Sequence, residues 1–307
     1  MKLSQLRDVV AVAETGSLRS AGRMLGIAQP AITRSIREIE HELGVILFER
    51  HAKGVRLTEM GRTFVRRAES VQAELRRAKE EIAQLQGHQT GEVSLAVSTA
   101  SAMSLLPKAL QNFHKAYPEA VLKISESFFA PIERDLLSGR IDFYVGPFDQ
   151  GSTANSFIVE QLFSNQRRVV ARRGHPLAKA SSFAELAEAR WIRPATADRT
   201  TEGDFDIALA GLGLPNPRIV VQSRSALLTI LTVANTDLLT VLPQQWLDFP
   251  LTAPLVEALD LPTFRAAPMC IVRRHDMPLT PLAERMCDEM RRVGTHYAFT
   301  EQAAQVG

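Results

Sequence analysis

Residues 17–44 read SLRSAGRMLGIAQPAITRSIREIEHELG. The pattern predicts two short amphipathic helices, with Gly26, Ile27 and Ala28 as the tight turn between them. In the second helix Ile32, Ile36, Ile39 and Leu43 recur at spacings of four, three and four. At 3.6 residues per turn they form one narrow apolar stripe. Pro30, Thr33, Arg34 and Arg37 then fall on the opposite face. That face carries a forked cation, a small hydroxyl and few carboxylates, groups that can reach base edges when a helix enters the major groove of a duplex.

Working outward, Leu3, Leu6, Val9, Val10 and Ala13 predict a first helix. Ser17 is a suitable N-cap for the second, whose Leu18, Ala21 and Leu25 face the same small core. Pro30 suits the first turn of the third helix, where its missing amide proton costs nothing. Downstream, residues 45–48 read as a strand, Lys53 and Gly54 as a turn, and 55–57 as the returning strand. A hairpin in this place is a wing, and Arg50, Lys53 and Arg56 decorate it within reach of phosphates or the minor groove. Thr58 can N-cap a long helix ending near Leu85. Its apolar residues Phe64, Ala68, Val71, Leu75, Ala78, Ile82 and Leu85 alternate spacings of four and three, a heptad seam. The seam implies a partner helix, and a dimer offers two reading helices to two half-sites about one duplex turn apart. The competing reading is a helix lying on its own domain.

The totals agree with a multidomain globular chain. Its 307 residues exceed one ordinary core, and 45% apolar with 23% charged residues is ordinary for a folded protein. No uncharged apolar run of about 18 residues occurs, so no membrane span is expected. Arg7, Asp8 and Glu14 interrupt the N-terminal apolar residues, which argues against a signal-peptide core and for a cytoplasmic location. Cys270 and Cys287 match no redox or zinc spacing and read as ordinary buried thiols. Charge is uneven: residues 1–67 hold 12 Lys/Arg against 7 Asp/Glu, net +5, and the remaining 240 hold 24 against 27, net −3. A basic head on a mildly acidic body suits a polyanionic partner for the head.

Residues 86–90 (QGHQT) are polar and mark a linker. Beyond them strands at 93–97, 121–125 and 143–145 alternate with helices at 105–117 and 132–138, which predicts a mostly parallel sheet with crossover helices. A second such block spans about 164–267, with strands at 168–171, 191–192, 219–222 and 238–242 and helices at 183–188, 205–212 and 225–233. A strand at 269–272 and a helix at 282–293 follow. Two α/β units joined by crossings imply a ligand between them.

Together these residues resemble the LysR-type transcriptional regulators. The resemblance is carried by AVAETGSLRSAGRMLGIAQPAITRSIREIEHELGVILFER and RLTEMG in the head. GRIDF at 139–143, RRGHPLA at 172–178 and DLLTVLP at 237–243 carry it further. It implies an α/β multidomain protein: a winged helix-turn-helix at 1–58, a dimerising linker helix and hinge at 59–90, and a two-lobed effector domain at 91–307 similar to periplasmic binding proteins. Lobe I would take about 91–163 and 268–307, and lobe II about 164–267. It also implies homotetramers that bend promoter DNA at an interrupted palindrome and contact with RNA polymerase. One departure is Ala28, where the family usually has a serine before Gln-Pro.

Matched by motif position, Gln29, Pro30, Thr33 and Arg34 are expected at base edges, and Lys53 in the minor groove or on phosphate. Arg34 can donate two bonds to a guanine, worth about 1–3 kcal/mol of discrimination. Arg37 and Arg50 are further DNA candidates, with ion pairs to Glu38 or Glu49 as the alternative. Ser98, Thr99, Ala100 and Ser101 follow the first strand and open a helix, where free amides and hydroxyls suit an anion. The same place commonly lines the effector cleft in the family, so these four are expected there, with Phe129, Gly146 and Pro147 at neighbouring strand ends. Arg193, Pro194 and Ser223 are expected from the other lobe. A plain helix cap and ordinary core aromatics are the competing readings. The expected effector is a small organic or aromatic acid, with no cofactor or metal. Motifs for a nucleophile elbow, a phosphate loop, a dinucleotide fold or a zinc site are absent from the sequence, so the chain is not expected to be an enzyme. An architectural DNA-binding protein without a ligand is the alternative function.

Overall fold

The computed structural model describes residues 1–51, 54–149, 156–194, 205, 209–211, 213 and 217–306; Lys53 lies outside them. The chain divides into two compact units, the first formed by Met1–His88, Arg134–Ile141 and Asp276–Pro281, the second by the remainder.

The first unit begins with α1 (Leu3–Thr15), α2 (Leu18–Leu25) and α3 (Gln29–Leu43). Ser17 caps α2 by accepting a bond from the Ser20 amide at 3.3 Å. Gly26 ends α2 at φ 68°, in the left-handed region where a side chain would be strained. Ala28 stands at the N-cap of α3 without a side-chain bond, and Pro30 occupies its first turn. Ile32, Ile36 and Ile39 are buried against Val9, Val12 and Ala21. The expected stripe ends one turn early: Leu43 is 37% exposed, because Gly44 terminates the helix in the left-handed region.

The wing consists of β1 (Phe48–His51) and β2 (Gly54–Leu57), antiparallel with Phe48 opposite Leu57. The strand expected at 45–48 is thus displaced. The amides of Leu47 and Phe48 both donate to Glu40 Oε1, at 2.7 and 3.2 Å, so a carboxylate takes the place of a neighbouring strand there. Thr58 caps α4 (Glu59–Leu85), its Oγ1 accepting from the Gly61 amide at 2.9 Å. A Cβ on Gly61 would lie 2.0 Å from the Leu47 carbonyl oxygen, so the start of α4 rests directly on the backbone leading into the wing. Phe64 and Ala68 pack with Leu6 and Val10 of α1. Farther along the seam, Val71, Leu75, Ile82 and Leu85 are between 39% and 75% exposed. Glu69, buried on α4, accepts a bond from Arg140 at 2.8 Å, and Arg140 also bonds Glu14 at 2.6 Å. Desolvation outweighs the attraction of Arg140 and raises the Glu69 carboxyl above its ordinary value.

The second unit holds two sets of parallel strands. In one, β3 (Gly91–Val97) lies between β4 (Ala120–Glu126) and β5 (Phe143–Pro147), with α5 (Thr99–Ser104), α6 (Leu106–Ala116) and α7 (Phe129–Ser138) in the connections. In the other, β7 (Arg190–Pro194) lies between β8 (Arg218–Ser223) and β9 (Leu238–Pro243), with α8 (Ala226–Ala234) joining β8 to β9 and α9 (Gln245–Asp248) after it. Two long antiparallel strands, β6 (Phe157–Arg172) and β11 (Phe264–Arg274), run through both sets. They merge them into a nine-stranded sheet ordered β4-β3-β5-β11-β6-β9-β7-β8, with β10 (Val256–Ala258) pairing β6. The sheet is therefore mixed rather than mostly parallel. The β6–β11 register shifts on both sides of Met269, beside Pro268, which has no amide to give the ladder. The final helix, α10 (Pro281–Val306), runs well beyond the expected 282–293. Residues 183–186 form only a 3₁₀ turn, and half of the helix expected at 205–212 lies outside the described residues. Among the described residues no helix is long and apolar enough to cross a membrane.

Candidate nucleic-acid interface and effector cavity

Gln29, Pro30, Thr33, Arg34 and Arg37 line one continuous concave strip along α3, together with Glu38 and His41. Arg34 is 83% exposed, and its Nε donates to Glu38 Oε1 at 2.8 Å, one turn along the helix. Glu38 also accepts from Gln5 Nε2 at 3.0 Å. The Arg34 bond, with help from Gln5, holds the Glu38 carboxyl below its ordinary value. Thr33 turns its hydroxyl back to the Gln29 carbonyl at 3.1 Å, leaving its methyl for an apolar contact. Glu38 thus pairs with Arg34 rather than with Arg37. Arg50 is exposed on β1. A guanidinium and an amide side chain on an exposed helix face, flanked by the wing, can read base edges while the wing meets phosphate.

The second unit contains a cavity of about 300 Å³. Ser98, Thr99, Ala100, Pro147, Pro194 and Ser223 of the expected set line it. Four others do not. Ser101 is fully buried, donating to Met269 Sδ at 3.0 Å while its amide bonds Ser98 Oγ at 3.2 Å. Phe129 packs in an aromatic cluster, its ring centroid 4.5 Å from Phe148, 5.3 Å from Phe157 and 5.8 Å from Tyr144. Gly146 serves Tyr144: a Cβ there would lie 2.0 Å from the tyrosine hydroxyl. Arg193 is half-buried on β7, outside the lining. Sequence reading missed Glu126, Phe128, Arg167, Arg224 and Trp246, all in the lining. The signal available was position: Glu126 ends β4 and Arg224 follows β8, and ligands in α/β sheets gather at the carboxyl ends of strands.

The hydroxyls of the lining are largely committed. Ser98 Oγ caps α5, Thr99 donates to Glu126, and Ser223 donates to the Ser225 carbonyl at 3.0 Å. The place expected to hold an anion is therefore capped by its own serine and fronted by a carboxylate. Both cysteines are buried, which pushes Cys270 up to about 11 and Cys287 up to about 12. Neither is the low-pKa, accessible thiolate of a redox sensor.

The three-helix head with its wing and the two-set sheet coincide with two matched family models. Residues 3–62 match "Bacterial regulatory helix-turn-helix protein, lysR family", and residues 86–295 match "LysR substrate binding domain". The chain belongs to the LysR family. It is a DNA-binding transcriptional regulator with an effector-binding domain. Among curated LysR relatives, the regulator GbpR of Azospirillum brasilense is 28% identical over 244 residues, covering 78% of this chain and 71% of GbpR. TdcA of Escherichia coli (strain K12) is 28% identical over 240 residues, covering 76% and 74%. Among solved structures, full-length CbnR in complex with its target DNA has a TM-score of 0.65 at 21% identity, covering 95% of this chain and all of that one. That likeness is one of fold.

Proposed function

We propose that two copies of this LysR regulator, joined along α4, set their α3 faces into successive major grooves of an interrupted palindrome in promoter DNA. The observation that carries this reading is the exposed strip from Gln29 to Arg37, backed by the buried Ile32, Ile36 and Ile39. Its support is threefold: the basic head, the heptad seam whose Val71, Leu75, Ile82 and Leu85 are exposed among the described residues, and the match to the family's head domain. Dimers pair into tetramers, work in the cytoplasm and act on RNA polymerase at the promoter. A small organic acid in the 300 Å³ cavity shifts the equilibrium between two arrangements of the assembly, which requires different affinities for the two. The cavity favours this over a ligand-free architectural role, and the cavity binds rather than turns over its ligand. The reading is tested by footprinting the purified chain on its own upstream region in moderate salt. Two protected half-sites about one duplex turn, or a small number of turns, apart are expected. Protection no stronger than on random DNA overturns it.

A further inference from the structure

The cavity is lined by opposite charges as well as hydroxyls. Glu126, at the end of β4, stands on the wall formed by Ser98 and Thr99. Arg224, next to β8, comes from the other set of strands, and Arg167 lies on β6 where that strand pairs β9. The Thr99 hydroxyl spends its proton on Glu126, and the Ser223 and Thr229 hydroxyls spend theirs on the Ser225 carbonyl, at 3.0 and 2.9 Å. The hydroxyl donors expected to hold an anion are thus occupied. A ligand carboxylate is met instead by the Arg224 guanidinium, whose planar fork matches it. Glu126, ionised, can accept about four hydrogen bonds and takes one from Thr99, so it stays able to accept from a ligand. A simple acid placed against that wall meets a like charge.

Resting on the reading of this cavity as the effector site, we propose that the effector is a small amino or hydroxy acid. Its carboxylate lies toward Arg224, its ammonium or hydroxyl donates to Glu126, and its carbon body packs on Trp246 and Phe128. The volume suits on the order of ten non-hydrogen atoms, at the lower end of ligand-pocket sizes. Glu126 is then the specificity-determining residue, selecting against acids that lack a donor.

Thermal shift of the full chain with matched sets tests this. One set is phenylalanine, phenyllactate and 3-phenylpropanoate; a second is leucine, 2-hydroxyisocaproate and 4-methylpentanoate; phenethylamine and isoamylamine lack the carboxylate. A donor-bearing acid from at least one set should raise the melting temperature more than its parent acid or amine does. Glu126 is exposed, so Glu126→Leu should fold with an unchanged unliganded melting temperature. It should bind the donor-bearing acid about tenfold or more weakly and the parent acid more tightly, reversing the order. Arg224→Ala should weaken both acids alike. Parent acids that stabilise the wild type as well as their donor-bearing partners overturn the proposal, as do an order that survives Glu126→Leu and a panel silent throughout. Anisotropy titration on upstream DNA, run in parallel, reports the DNA-reading role separately, and any of these failures leaves that role standing.

Discussion

Arg34 and Glu38 sit one helical turn apart on α3, with Nε and Oε1 at 2.8 Å. The residue best suited to read a guanine is therefore tied, before DNA arrives, to a carboxylate on the same face. An exposed pair of this kind contributes little to stability, so its consequence lies in binding. The carboxylate aims the guanidinium and also repels the phosphates that approach it.

Glu38→Gln removes the repulsion and loosens the aim. Binding to random duplex should tighten about two- to threefold at low salt, an effect that shrinks as salt screens it. Selectivity for the operator should fall. Anisotropy titrations on operator and scrambled duplex at two salt concentrations measure both, and unchanged values would separate Glu38 from DNA binding.

Gly61→Ala tests the approach of α4 to the wing. Alanine favours a helix by about 1 kcal/mol over glycine, so without a clash the variant would be more stable. A Cβ at 2.0 Å from the Leu47 oxygen demands a backbone shift, and overpacking costs about 1–3 kcal/mol. The net expectation is a lower melting temperature; a rise would show that the contact yields easily.

The seam on α4 predicts its own disruption. Leu75→Glu with Ile82→Glu places charges among exposed apolar residues, which a monomer tolerates and a paired helix does not. Sedimentation should shift toward the monomer, with full-site DNA affinity falling far more than half-site affinity. An unchanged oligomer would assign pairing to another surface.

Glu69 carries a pH signature. Its folded pKa is raised above the ordinary value of 4.5, so the folded chain holds this proton at pH values where the unfolded chain has lost it. Its contribution to stability is greatest below the unfolded value and declines as pH rises through the raised one. Relative to Glu69→Gln, which does not titrate, the wild-type melting temperature should gain as pH falls from 7 toward 4. Parallel curves would contradict the shift.

What the sequence disclosed followed the range of the interactions. The Ile32, Ile36 and Ile39 stripe, the Ser17 and Thr58 caps and the 27-residue α4 rest on contacts within a few residues, and periodicity displays them directly. The strand β6 hides because EQLFSNQRR at 160–168 has no alternation: β11 and β9 pair its two edges, and its exposed Gln161 and Ser164 fall on opposite faces. Phe128 and Phe129 illustrate a different limit. Adjacent residues can point to opposite sides, and only the backbone decides that Phe128 faces the cavity while Phe129 joins Tyr144, Phe148 and Phe157. Ser101 resembles a ligand group because hydroxyls bind ligands and close internal contacts equally well, and here it is buried on Met269 Sδ. Glu126 and Arg224 are about a hundred residues apart in sequence and share a cavity only through the folding of the sheet.

The central claim is that the exposed face of α3 reads base edges. It is tested most directly by titrating the wild type and Arg34→Ala against operator and scrambled duplex at one fixed salt concentration, with melting temperature and oligomeric state measured alongside. The account predicts that Arg34→Ala stays folded and oligomeric while operator selectivity drops about ten- to a hundredfold, the range of one bidentate guanine contact. Selectivity equal to the wild type would contradict it.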